Sequence, residues 1–201
     1  MSTVQLKLGP TDHGRRLTLD DFDSAEFEPG AKYEIIDGRL YVSPVANFPE
    51  HFLEGWLRKK LERYSDDHPE VFNFVAVKSR VYVRNRRNAT VPEPDIATFA
   101  DVPTQGDIRA INWRDLNPLL VCEILVDADR RKDLERNPDL YRDVPSVREY
   151  WVLDGRDDAN TPTLIQHRRY GRRWVVREFP FGTTFTTKLL PGFSLLIDPR
   201  K

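Results

Sequence analysis

Two acids stand in settings where carboxylates are unusual. Asp95 follows Pro94 at the entrance of an apolar run, and Glu123 sits inside the most hydrophobic stretch of the chain, Leu-Leu-Val-Cys-Glu-Ile-Leu-Val. An ionised carboxylate taken out of water without a partner costs several kcal/mol or gives up its charge through a pKa shift. Glu123 therefore needs an arginine, a backbone donor or a cation beside it. Two such acids on neighbouring strands, with a backbone carbonyl at hand, form an oxygen-rich site of the kind Mg²⁺ prefers. An ion held there orients and activates water and stabilises charge on a scissile phosphate. The spacing alone also fits a plainer arrangement, in which the glutamate faces solvent at a sheet edge or pairs with an arginine.

The elements that would position these acids are marked by periodicity and turn chemistry. Residues 1–30 mix polar and charged residues with Gly-Pro and Pro-Gly turns, and read as an extension with one short helix near 19–22. Apolar runs at 33–36 and 40–43 flank Asp37-Gly38, a hairpin signal because both turn positions need positive φ. Residues 47–66 predict the first long helix: Asn47 can cap it, Glu50 follows three residues on, and Pro49 falls in the first turn. Leu53, Leu57, Leu61 and Tyr64 would form its apolar face. Strands are expected at 71–77, 80–83 and 95–99, with Pro92 and Pro94 limiting pairing to the entry of the last. The continuous apolar run 119–126 predicts a central strand buried on both faces. A helix around 138–143, a strand at 147–153 and a late hairpin from 163–167 and 174–179 complete a mixed α/β core.

Composition narrows the classes of function. A chain of 201 residues suits one domain and can bury roughly 70% of its unfolded surface. The single cysteine, Cys122, leaves no internal disulfide framework and no cysteine-built zinc site. The longest apolar stretch is too short to cross a bilayer, and the N-terminus lacks the pattern of a signal peptide, so residence in a microbial cytoplasm is expected. Net charge is −1, with 31 basic against 32 acidic residues, unlike a protein that clamps nucleic acid by charge alone. Basic residues do gather locally: Arg84, Arg86 and Arg87; Arg130, Arg131 and Lys132; Arg168, Arg169, Arg172 and Arg173. There is no phosphate-binding glycine loop and no dinucleotide fingerprint.

An ordered set of short motifs carries a resemblance. Tyr33-Glu34-Ile35-Ile36-Asp37-Gly38-Arg39-Leu40, Pro94-Asp95, Cys122-Glu123-Ile124-Leu125, Tyr141, Glu149-Tyr150-Trp151-Val152-Leu153-Asp154 and Leu190-Pro191-Gly192 succeed one another along most of the chain. The series resembles the Uma2 family (DUF820), a branch of the PD-(D/E)XK nuclease-like proteins. That resemblance implies a restriction endonuclease-like mixed β-sheet core flanked by helices, with an added antiparallel hairpin, over residues 31–199. It implies that Asp95, Glu123 and the main chain of Ile124 bind Mg²⁺, or Mn²⁺, for hydrolysis of DNA phosphodiesters, with Glu34 as an accessory acid. His51 matches a position where relatives often carry histidine. Cutting both strands of a duplex would suit a homodimer.

One position departs from that pattern. The family's lysine, displaced onto the helix fourteen residues after the glutamate, corresponds to Asn137 here. Asparagine can hold water by hydrogen bonds but cannot supply an ammonium charge. Because Pro138 follows, Asn137 is also read as the N-cap of a helix starting at the proline. Lys132 and Arg136 are candidate substitutes, sharing one helix face offset from that of Asp133 and Asn137. Arginine there could stabilise phosphate charge but would be a poor base. Two functions follow: an active metal-dependent endonuclease, or a nuclease-like domain that has lost its chemistry and serves in binding or assembly.

Overall fold

The computed structural model describes residues 5–126 and 132–201, so Arg130 and Arg131 of the second basic group lie outside the described residues. In chain order, β1 (Lys7–Leu8), α1 (Leu19–Ser24) and β2 (Glu26–Phe27) precede a hairpin of β3 (Ala31–Ile36) and β4 (Arg39–Pro44). The long helix α2 (Phe48–Asp67) leads to β5 (Phe74–Val77), β6 (Ile96–Phe99) and β7 (Pro118–Leu125). Two short helical pieces follow, α3 (Lys132–Glu135) and α4 (Asn137–Arg142). The chain closes with β8 (Glu149–Asp154), β9 (Thr163–Tyr170), β10 (Arg173–Phe179) and a small pair, β11 (Thr184–Thr186) and β12 (Ser194–Leu196).

Six strands form the main sheet, ordered β10-β9-β8-β7-β6-β5. All neighbours run antiparallel except β7 and β8, which are parallel and are joined across the α3–α4 segment. The apolar run of β7 is buried on both faces, as its continuity predicts. Leu120, Cys122 and Ile124 pack with Leu53, Leu57 and Leu61 of α2 and with Trp151 of β8. Val121 and Leu125 point the other way, against Tyr141, Tyr150 and Val152. Glu123 shares the parity of the second group, which sets its side chain toward the α3–α4 side.

The hairpin carries a cluster of its own. Tyr33, Ile35 and Leu40 bury against Leu8, Leu17, Phe22 and Val91, so the N-terminal segment covers one face of the hairpin. Asp37 and Gly38 both take positive φ, at 50° and 75°, the turn that Asp-Gly favours. Asn47 caps α2 by accepting the Glu50 amide at 3.1 Å.

Four expectations need correction. Residues 80–83 form no strand: Val81 and Val83 donate to Pro92 and Thr90, but prolines at 92 and 94 have no amide with which to extend the ladder. The strand expected at 71–77 begins only at Phe74, and that expected at 95–99 begins at Ile96. Asn137 is not an N-cap. Arg136, in helical conformation with φ −83° and ψ −50°, already precedes it, and its amide donates to the Lys132 carbonyl at 2.9 Å. The chain is thus helical before the proline arrives, and Asn137 is left free to point inward.

Arg169 anchors the far end of α4 to the sheet. Its guanidinium donates to the carbonyls of Tyr141, Arg142, Val144 and Val147 at 2.6–3.1 Å and lies 4.8 Å from the Trp174 ring centre. Two of these carbonyls, those of Tyr141 and Arg142, belong to the last turn of α4, where a helix leaves its carbonyls without intrahelical donors. Replacing Arg169 with Met should lower stability by roughly 2–3 kcal/mol, since several acceptors lose a charged donor together. Urea unfolding checks this, and an unchanged midpoint would show that water serves those carbonyls equally well.

Candidate active site at the β6–β7 end

Ile96 pairs with Cys122 in antiparallel register, which sets Asp95 opposite Glu123 one position further on. Both side chains are buried. They lock onto each other's backbone: Asp95 Oδ2 accepts the Ile124 amide at 2.8 Å, and the Asp95 amide points at Glu123 Oε2 at 3.4 Å. The two carboxylates are therefore fixed by strand pairing rather than by side-chain flexibility.

Two helical residues close on Glu123 from above. Asn137 Nδ2 donates to Glu123 Oε1 at 3.0 Å and to Asp133 Oδ1 at 2.7 Å, and Tyr141 donates its hydroxyl to the same Glu123 oxygen at 3.0 Å. Asp133, Asn137 and Tyr141 are four residues apart, one face of the helical segment. Lys132 and Arg136 occupy the offset face, as their spacing predicts. Both reach Glu34 Oε2, at 3.5 and 3.6 Å. Arg136 also donates to Asn137 Oδ1 and lies over the Tyr41 ring.

Glu34 comes from the hairpin. Alternation along β3 sends Tyr33 and Ile35 into the hairpin's own cluster and Lys32 and Glu34 to the opposite face. Docking of the hairpin onto residues 91–93, through Val91 to Ile35 at 2.6 Å and the Glu93 amide to Glu34 Oε1 at 2.9 Å, brings that face over the sheet end. Lys32 then reaches Asp95 Oδ1 at 3.2 Å. Glu34, Asp95, Glu123, Lys132, Arg136 and Asn137 thus meet in one place. His51 does not join them; it is exposed in the first turn of α2.

Lys32 carries no motif and escaped notice in the sequence, and Asp133 was placed on the helix face of Asn137 but given no role. A signal for each was present: Lys32 shares its strand face with Glu34, and Asp133 shares its helix face with Asn137. Neither signal names a partner.

Among the described residues at the site, acids outnumber cations. Glu34, Asp95, Glu123 and Asp133 are all buried, against the three cations Lys32, Lys132 and Arg136. Burial, then Asp133 and Asp95, push the Glu123 carboxyl well above its usual range. Burial does the same to Asp133, with Asp95 and Glu34 adding to it against Lys132, and its pKa is pushed up to about 6. Glu34 behaves in the opposite way. Burial disfavours its charge, but Lys132, Lys32, Arg136 and the Glu93 amide outweigh that and lower its pKa.

The donor set suits a hard cation that needs few protein ligands. Each carboxylate oxygen has two lone pairs, so Asp95 and Glu123 can serve an ion while keeping the donors from Ile124, Asn137 and Tyr141. Among the described residues no three acids, histidines or cysteines converge as a ready metal cage. Mg²⁺ ordinarily takes only one or two carboxylates and completes its shell with water and phosphate. The Asp95 and Glu123 carboxylates and the Ile124 carbonyl meet that requirement, and the surplus of buried acids would be offset by it.

A mixed six-stranded sheet flanked by helices, with an antiparallel hairpin across its acid-bearing end, is a restriction endonuclease-like α/β fold. Within that class the chain belongs to the Uma2 family, whose model, described as "Putative restriction endonuclease", matches residues 19–198. The crystal structure of a DUF820 protein from Anabaena variabilis, described as a "putative nuclease", superposes with a TM-score of 0.69. It is 15% identical, and the match covers 90% of this chain and 95% of that one. No curated protein matches the chain.

The raised Asp133 carboxyl predicts a pH dependence of stability. Its ordinary value is 3.8 and its folded value about 6, so between these limits the folded protein holds the proton that the unfolded chain has released. The metal-free protein should therefore lose stability as pH rises from about 4 to about 6, by up to ~3 kcal/mol from this group. Thermal melts across that range will show the slope, and Asp133→Asn should flatten it. An identical slope in the variant would assign the effect to another group.

Proposed function

We propose that the protein is a divalent-metal-dependent endonuclease that hydrolyses DNA phosphodiester bonds. The observation that carries this reading is the strand-locked carboxylate pair, Asp95 and Glu123, buried where acids outnumber cations among the described residues. Mg²⁺ or Mn²⁺ bound to Asp95, Glu123 and the Ile124 carbonyl would orient and activate water and offset charge on the scissile phosphate. The remaining tasks fall to the chain's own side chains. Asn137 and Tyr141 hold Glu123 in one orientation by donating to the same oxygen. Glu34 keeps its charge and draws Lys132 and Arg136 to the edge of the site, where both are about a quarter exposed and can meet a phosphate. An arginine is a poor base, so the part of Arg136 is electrostatic.

DNA as substrate is supported by the family's description as restriction endonucleases and by cations placed beside the acids. The described residues contain no helix long and apolar enough to cross a membrane. A second reading rests on Asn137. Where relatives carry a lysine, a neutral amide is buried and committed to Glu123 and Asp133, which favours a domain that has kept the fold for binding or assembly.

Cleavage of plasmid DNA with Mg²⁺ or Mn²⁺ decides between them. Asp95→Ala and Glu123→Gln should each lower the rate by roughly a hundredfold or more, since several kcal/mol of transition-state stabilisation are lost. Turnover that survives both changes would overturn the assignment of the site. Metal binding without turnover by the unaltered protein would favour the second reading.

A further inference from the structure

Lys32 is the only described cation bonded to Asp95. Its side chain is 13% exposed, and its ammonium lies 3.2 Å from Oδ1, the Asp95 oxygen that the Ile124 amide leaves unused. Because Oδ2 already accepts the Ile124 amide, a cation held by Asp95 would compete with Lys32 for Oδ1. The backbone of Lys32 is fixed, because β3 is paired to β4 along its length and docked on residues 91–93. The side chain is a flexible four-carbon stem with a compact charge at its tip. A group of this kind can leave a carboxylate without moving the strand that carries it.

We propose that Lys32 holds the metal position on Asp95 in the metal-free protein, yields it to a divalent cation, and then presents its ammonium to a phosphate of the bound duplex. This rests on the metal-dependent reading of the site given above. Three features of the structure support it. The ammonium neutralises an acid that would otherwise be buried with no cation bonded to it. A divalent ion carries twice the charge into a site with surplus acids, so the exchange is electrostatically downhill. Once displaced, Lys32 still faces Glu34 and Glu93, which keep its charge at the mouth of the site. It would there supply the positive charge that Asn137, a neutral amide, cannot.

A plain structural salt bridge makes a different forecast. It would stay closed when metal is added, and its loss would leave duplex binding unaltered. The test uses Mn²⁺ alone, by calorimetry, on the full-length protein and on Lys32→Gln and Lys32→Met; the first keeps an amide donor for Asp95. The affinity of a labelled DNA duplex in Ca²⁺ is measured on the same proteins. The expected result is Mn²⁺ binding at least about tenfold tighter in both variants, the scale of one adjacent charge removed. Duplex binding should be weaker by about fivefold, the size of one lost phosphate contact at moderate salt. Mn²⁺ binding that is unchanged or weaker in folded variants overturns the exchange. Tighter Mn²⁺ with undiminished duplex binding overturns the phosphate contact.

A measurement on the unaltered protein guards against variants that fail to fold. The ¹⁵N resonance of the Lys32 ammonium should shift with the same midpoint as Mg²⁺ binding, and a resonance that stays in place through saturation sinks the proposal. If neither the unaltered protein nor the variants bind Mn²⁺ at millimolar concentration, the metal-dependent reading itself fails. That result is distinct from every outcome in which metal binds and only Lys32 behaves otherwise.

Discussion

The site depends on a carboxylate placed inside a strand that has no access to water. Glu123 lies in a strand buried along nearly its whole length, flanked by apolar residues on both sides. It could not stay there without donors, and the surrounding structure is organised to bring them. The Asp95 amide comes from the neighbouring strand, and Asn137 and Tyr141 come from the helical segment that joins β7 to β8. An uncompensated charge at this depth would cost several kcal/mol, a large part of a typical domain's margin of stability, or be given up to a proton.

That requirement explains parts of the fold far from the acids. The α3–α4 segment must be held at a fixed height above the sheet, and Trp174 and Arg169 of the last two sheet strands do this. The Trp174 indole donates to the Pro138 carbonyl at 2.7 Å, and Arg169 gathers the carbonyls at the end of α4. Tyr150 adds a third tie, to the Asp133 carbonyl, from within the sheet. On the other side, the N-terminal segment covers the hairpin's apolar face and leaves Lys32 and Glu34 to the site.

Much of the basic character of the chain is spent on structure. Arg86 bridges Asp37 of the hairpin turn and Asp143 after α4, Arg84 pairs with Asp115, and Arg169 is a helix anchor. Arg80 packs over Phe22 and pairs with Asp23. At the acid-bearing end, by contrast, Lys32, Lys132 and Arg136 are set among the acids of the site, the last two about a quarter exposed. Local charge, rather than the sum, governs how a polyanion approaches such a cleft.

Local physics made several features legible in the sequence. The Asp-Gly turn, the Asn47 cap, the leucine face of α2 and the doubly buried β7 all follow from short-range rules about φ, hydrogen-bond donors and side-chain alternation. The same rules singled out Asp95 and Glu123, because an acid in an apolar run demands a partner wherever it folds. They also separated Lys132 and Arg136 from Asp133 and Asn137 by helix face. What they could not supply was the identity of the partners. Lys32 is 63 residues from Asp95 and Glu34 is 98 from Lys132, and those contacts exist only because the hairpin docks across the sheet end. The role of Asn137 was likewise decided in three dimensions. The Asn-Pro order suggested a cap, but helix already formed from Lys132 carried the residue past that position and turned its amide toward Glu123. Periodicity fixes which way a side chain points relative to its own element; tertiary packing alone decides what it finds there.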